Sequence, residues 1–128
     1  MPTVASAAAA LKVPLEQILK TLLFVDANGD YVVAIAGGIL RIDRAQLSQV
    51  SGLVRPRIAT PEEVLEITGY PAGGVAPLGF IRGVRVIVDT RVLELPVAFG
   101  GGGREDVLLR VDPSVVVRLN NAVVAPIV

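Results

Sequence analysis

The sequence predicts one α/β (α+β) domain over residues 1–128, with more strand than helix. Three observations carry that expectation. A chain of 128 residues has the length of a single domain. Its residues are 52% hydrophobic but only 4% aromatic, so a sizeable core must be built from Val, Leu, Ile and Ala. Short apolar runs are separated by helix-cap and turn signals, and 13 Gly and 9 Pro punctuate many short elements.

The elements follow in chain order. "TVASAAAAL" is Ala-rich and helical in character, with Thr3 or Ser6 as N-cap. "VPLEQILK" predicts a second short helix, with Pro14 at its first position and Leu15, Ile18 and Leu19 at helical spacing. "TLLFVDANGDYVVAIA" is the clearest local signal. Two apolar runs flank Asp26 to Asp30, with Asn28-Gly29 at the centre, which predicts a β-hairpin. "GGILRI" offers a third short strand. "DRAQLSQVSG" predicts a helix capped by Asp43 and ended by Gly52. In "LVRPRIA", Pro56 restricts the segment to an edge strand. "TPEEVLEITG" combines Thr60 as N-cap, Pro61 at the first helical position, Glu63 three residues after the cap and Gly69 as C-cap. Farther on, "VRVIVDT", "RVLEL", "DVLLRV" and "AVVAPIV" read as strands. "DPSVVVRL" reads as a helix because Asp112 and Pro113 start it, despite its β-branched run.

Composition excludes several chemistries. The 12 basic and 12 acidic side chains cancel, which argues against wholesale coating of a nucleic acid but leaves a local basic face open. Cys is absent, which removes disulfides, thiol nucleophiles and thiolate metal sites. His is absent too, which removes His-based triads and the usual neutral-pH acid or base. The expected cofactor and metal content is therefore none. No convincing targeting signal or membrane-length apolar stretch is present, and the chain reads as cytoplasmic.

Chemistry must then rest on a few side chains and on backbone. Lys20 stands where a helix-like segment meets an apolar strand. Its ammonium either points into a cavity or simply snorkels from a helix end. "YPAGGVAPLGF", residues 70–80, gathers Gly73, Gly74, Val75, Ala76, Pro77 and Gly79. Clustered N–H groups of this kind bind anions or stabilise an oxyanion; the plain alternative is a helix-to-strand connection. The segment is not a phosphate loop of the GxxxxGK[ST] or GxGxxG kind. "GGGGRED", residues 100–106, adds Gly102 and Arg104, read either as an anion contact or as a solvated surface hairpin. Asp89, closing an apolar strand, is either a site carboxylate or a cap.

Taken in order, "VPLEQILKTLLFVDANGDYVVAI", "TPEEVLEITGYPAGGVAPLG", "VIVDTRVL" and "FGGGGREDVLLRVDP" resemble the YbaK/ProX family of aminoacyl-tRNA deacylases. This family also occurs as the editing domain of bacterial prolyl-tRNA synthetases. The resemblance runs over roughly residues 4 to 128, and its specific part is Lys20-Thr21 together with the TGY…GGV.P.G run. It implies a mixed, β-barrel-like sheet with surrounding helices. It implies hydrolysis of the ester between a wrong amino acid and tRNA, with cysteinyl-, alanyl- or seryl-tRNA as substrates. The alternative is a non-catalytic module of the same fold that binds the aminoacylated end of tRNA.

The resemblance also assigns roles. Lys20 would lie over the substrate cavity. Gly73, Gly74, Val75, Ala76 and Pro77 would form the opposing loop that binds the aminoacyl end through backbone amides. Beyond what the resemblance assigns, Thr21, Gly79, Asp89, Gly102 and Arg104 are the remaining candidate substrate-binding residues. The implied partners are mischarged tRNA and an aminoacyl-tRNA synthetase, with no membrane partner and with a homo-oligomer left open. Two departures stand out. Family members carry a longer stretch before the Ala-rich helix, so the domain reads as N-terminally short. "APL" at 76–78 also differs from many relatives on both sides of the proline, which predicts a different pocket shape.

Overall fold

The computed structural model describes residues 12–81, 83–104 and 107–128. The Ala-rich segment at the start lies outside the described residues. The predicted hairpin is the backbone of the molecule. Strands β1 (Leu19–Val25) and β2 (Tyr31–Gly37) pair antiparallel, from Leu19 opposite Gly37 to Val25 opposite Tyr31. The connection is held by one carboxylate. Asp26 Oδ1 accepts the N–H of Asn28 at 2.9 Å and of Asp30 at 3.1 Å, and Oδ2 accepts the N–H of Val54 at 3.0 Å. These donors, Val54 first, hold the Asp26 carboxyl below its ordinary range.

Other strands extend the sheet on both sides. β3 (Arg57–Ile58) pairs antiparallel with β1 at Phe24 and Val25. β4 (Val86–Asp89) runs parallel to β2, and β7 (Val123–Ala125) runs parallel to β4. The order is β3-β1-β2-β4-β7. β5 (Ala98–Gly101) and β6 (Leu108–Val111) form a separate antiparallel hairpin that touches β1 through a bridge between Ile18 and Phe99.

The barrel-like sheet implied by the resemblance is not found. Among the described residues no sheet closes: β3 and β7 remain edges of an open mixed sheet, and the β5–β6 hairpin stays apart from it. Closure needs long strands that carry pairing round the circumference. Here β3 is two residues long, directly after Pro56, and β7 is three. The fold is therefore an open α+β sandwich of helices on a sheet.

Three helices follow their cap signals. α1 (Arg44–Ser51) starts at Asp43, whose carboxylate accepts from the N–H groups of Ala45 and Gln46. α2 (Pro61–Thr68) has the full capping box, with Thr60 and Glu63 accepting each other's backbone N–H. Such a cap is worth about 1 kcal/mol. α3 (Pro113–Asn120) starts at Asp112 and tolerates its valines because Val116 packs fully into the core.

Three local expectations fail for identifiable reasons. "VPLEQILK" forms only a 3₁₀ turn at Leu15–Gln17, because Ile18 pairs with Phe99 and Leu19 already belongs to β1. "GGILRI" forms a turn rather than a strand. "RVLEL" lies in a 3₁₀ turn, Thr90–Glu94, where Asp89 accepts the N–H of Arg91 and bends the chain away from the sheet.

The pleat sorts the core into two layers. Leu19, Leu23, Val25, Val33 and Ile35 face one side, with α2 and α3 contributing Val64, Ile67 and Val116. Phe24, Val32, Ala34 and Ala36 face the other, with α1 contributing Leu47 and the C-terminal segment Ile127. This alternation decides where each candidate site residue points.

Candidate active site

The two glycine-rich segments are one object. Gly74 O accepts the N–H of Gly103 at 2.9 Å, and the chain at Arg104 crosses directly over Gly74. A Cβ on Gly74 would lie 2.8 Å from the Arg104 carbonyl carbon and 2.9 Å from its Cα, so only glycine allows the approach. Gly101 stands in the same relation to the Val75 carbonyl, and Gly100 faces the Pro77 ring. The segment 100–103 is thus the wall behind loop 73–77 rather than a flexible tip.

The loop's carbonyl groups are pinned by three donors. Gly103 N–H takes that of Gly74, Asn120 Nδ2 donates to Pro77 O at 2.8 Å, and Tyr70 Oη donates to Leu78 O at 2.7 Å. Tyr70 is steadied in turn by an edge-on contact with Phe80, the ring centroids being 6.1 Å apart. Asn120 also donates to Val116 O at 2.9 Å, so α3 itself anchors the loop. Gly74 N–H closes a turn on Pro71 O at 2.9 Å. The N–H groups of Val75 and Ala76 have no hydrogen-bond acceptor among the described residues. The arrangement fixes carbonyls into the protein and leaves donors over, as an oxyanion or carboxyl-derivative site requires.

Lys20 and the loop do not share a face of β1. Cross-strand pairing puts Lys20 with Ala36, on the side of Leu22 and Phe24. Val75 packs on the opposite side, with Leu19 and Leu23. The residue of the Lys-Thr pair that faces the loop's side is Thr21, paired with Ile35. Its Oγ1 is buried without a hydrogen-bond partner among the described residues. A buried hydroxyl left in that state is unfavourable by about 1–3 kcal/mol unless something else satisfies it.

Lys20 lines a groove of about 590 Å³ with Leu22, Arg41, Asp43, Arg44 and Val128 among its walls. Partial burial, and then the positive charge of Arg41, push its ammonium below the ordinary lysine range.

The remaining candidates have defined places. Asp89 is fully buried, and its two oxygens accept the N–H groups of Arg91 at 3.1 Å and Ile127 at 2.9 Å. It ties the end of β4 to the C-terminal segment. Gly79 abuts the Tyr70 hydroxyl, and Gly102 N–H donates to Val107 O at 2.9 Å within the β5–β6 hairpin. Arg104 is exposed at the hairpin end. Tyr70 belongs to the TGY…GGV.P.G run of the sequence, but its bond to Leu78 and the whole role of Asn120 emerge only in the structure. Tyr70 was readable as the one titratable side chain in residues 70–80. Asn120 was not, because it acts 43 residues from Pro77. No group of three or more metal-ligating side chains occurs among the described residues.

The open α+β sheet thus carries a pinned, glycine-walled loop on one face of β1 and a basic groove on the other. Residues 1–119 match the aminoacyl-tRNA editing domain, and the chain belongs to that family. It is 31% identical over 111 residues to the Bacillus subtilis protein YwhH, covering 87% of this chain and 70% of that one. It is 38% identical over 96 residues to the proline–tRNA ligase of Thermotoga neapolitana, covering 75% of this chain and 16% of the ligase. The ligase of Pelobacter propionicus matches at 30% over 106 residues, covering 83% of this chain and 18% of the ligase. The chain therefore spans less than a fifth of the length of these two ligases.

Two solved structures superpose closely. One is described as a "putative trans-editing enzyme for prolyl tRNA synthetase" (TM-score 0.89, 34% identity, 98% of this chain and 78% of that one). The other, hypothetical protein APE2540, gives a TM-score of 0.89 at 38% identity, covering 98% of this chain and 83% of that one. Family membership makes this an aminoacyl-tRNA editing domain. No helix among the described residues is long and apolar enough to cross a membrane.

Proposed function

We propose that the chain edits in trans, in the cytoplasm, by hydrolysing the ester of mischarged cysteinyl-, alanyl- or seryl-tRNA. The observation that carries this reading is the loop whose carbonyls are held by Gly103, Tyr70 and Asn120. Water attacks the aminoacyl carbonyl, and negative charge develops on its oxygen. The N–H groups of Val75 and Ala76 receive that charge without reorganising. The ester C–O bond then breaks, the ribose oxygen leaves as a hydroxyl after taking a proton, and the amino acid departs as a carboxylate. Thr21 supplies a hydroxyl to the substrate from the same face of the sheet, and Gly73 lets the aminoacyl group approach the backbone. Arg104, Gly79 and Gly102 frame the loop, and Pro77 holds its curve. Lys20 contacts the phosphate backbone leading to the terminal nucleotide, from the groove side. With no His or Cys in the chain, attack is oriented by position and by the substrate's own groups. A prolyl-tRNA synthetase is the fitting source of the mischarged tRNA.

The lack of a neutral-pH base supports a second reading, a module that binds the aminoacylated end without cleaving it. A panel of mischarged tRNAs separates the two. Turnover of at least one member, with kcat/KM reduced by Lys20→Ala, is the expected result. Tight binding of charged tRNA without turnover would favour the second reading, and Lys20→Ala with unchanged kcat/KM would remove Lys20 from the site.

A further inference from the structure

Two grooves on the Lys20 face meet at one residue. The first, of about 590 Å³, carries Lys20, Arg41 and Arg44. The second, of about 460 Å³, carries Arg44, Arg55 and Arg57. Arg44 lines both, so the cations form a continuous row. Carboxylates do not balance it. Asp43 lines the first groove as well, so one side-chain carboxylate faces its three cations there. Glu63 neutralises Arg57 through a two-point contact at 2.9 and 3.2 Å. A row with an excess of positive charge therefore runs from Lys20 to Arg55. In a chain whose 12 positive and 12 negative side chains cancel, this is a pronounced local asymmetry.

A further feature points to an anionic occupant. Lys20 and Arg41 lie close enough for the arginine to disfavour the charged lysine, a repulsion that a bound anion relieves. The walls between the cations include Leu22 and Ile58, apolar surface suited to sugar faces.

We infer that the row Lys20–Arg41–Arg44–Arg55 is a phosphate track that seats the sugar–phosphate backbone of the tRNA acceptor end, while the ester is presented to the glycine loop on the other face of β1. This rests on the editing reading for its ligand, but its test does not depend on turnover. Several phosphates spaced along a backbone match several cations in a row, whereas a lone phosphate needs only one or two of them.

The experiment uses an uncharged RNA minihelix with a single-stranded 3′ end, titrated by fluorescence anisotropy across a salt series. Arg44→Ala and Arg55→Ala should each weaken binding about 3- to 10-fold at low salt. Each should also lower the slope of log K against log salt by about 0.7 to 0.9. Arg44→Lys and Arg55→Lys should keep the slope, and Arg91→Ala, on the 3₁₀ turn, should change nothing. KM for mischarged tRNA should rise with the loss of binding. Slopes equal to wild type in both alanine variants would overturn the track even if deacylation is intact. Reduced slopes in a protein that deacylates nothing would keep the track and remove the editing reading. Minihelix binding absent at low salt, with an acidic protein surface bound instead, would also overturn it.

Discussion

On one face of β1 the polar surface is backbone. Loop 73–77 offers N–H groups, the carbonyls of Gly74, Pro77 and the following Leu78 are held by Gly103, Asn120 and Tyr70, and glycines let two chains stack without side chains between them. On the other face the polar surface is long side chains, Lys20, Arg41, Arg44 and Arg55, standing over an open groove. The first face presents hydrogen-bonded backbone; the second presents a cluster of cationic side chains. The contrast separates two tasks. Stabilising a developing oxyanion needs donors fixed in place before the reaction. Holding a mobile polyanion needs charge, and tolerates flexible arms.

The largest effect should come from removing the close approach on the loop face. Gly74→Ala forces a Cβ against the Arg104 backbone, which has no flexible end to yield. Deacylation should fall by about 10²–10³-fold. The overpacking should also destabilise by about 1–3 kcal/mol. Single-turnover assays alongside a thermal melt measure both. A folded Gly74→Ala protein with wild-type turnover would reduce the loop to a connector.

Asp89 sharpens the comparison from the structural side. Its oxygens are occupied by the N–H groups of Arg91 and Ile127, on a residue with no exposed surface. Asp89→Asn keeps one acceptor and turns the other into a donor facing a donor, so stability should fall by about 1–3 kcal/mol. Deacylation per folded molecule should change much less. Loss of activity beyond loss of folded protein would return Asp89 to the site.

How much of this was legible follows from the range of each interaction. The caps at Asp43, Thr60 and Asp112 are read within four residues, and all three helices start there. The β1–β2 hairpin was legible for the same reason. The segment "RVLEL" was misread because its apolar pattern suits a strand, while Asp89 upstream turns the chain. Sheet closure was implied by resemblance and depended on edge lengths that local pattern does not give. Within the site, both glycine segments were visible, but not that they stack on each other. Lys20 and Thr21 were read as one motif, yet the period of two sends them to opposite faces. Asn120 carried no local signal at all.

The smallest expected effect lies at the end of the arginine row. Arg57 and the Thr60 N–H hold the Glu63 carboxyl down at about 2. A depressed carboxylate stabilises the fold above its unfolded pKa, near 4.3, and loses that contribution as pH falls toward 2. Both partners are largely solvated, so the effect is slight. Melting temperature followed from pH 7 to pH 2 should show wild type converging on Glu63→Gln at the acid end. A constant gap across that range would mean the pair is not the cause.

The account rests on the claim that the loop's pinned backbone performs the chemistry. The double variant Tyr70→Phe/Asn120→Ala removes two of the three pins and leaves every proposed substrate-contacting group in place. Single-turnover deacylation of a mischarged tRNA, measured with minihelix binding and a melt, is the direct test. The account predicts a kcat about 10²-fold lower, with the salt slope of binding unchanged, in a protein that still folds. A folded double variant that deacylates at the wild-type rate would contradict it.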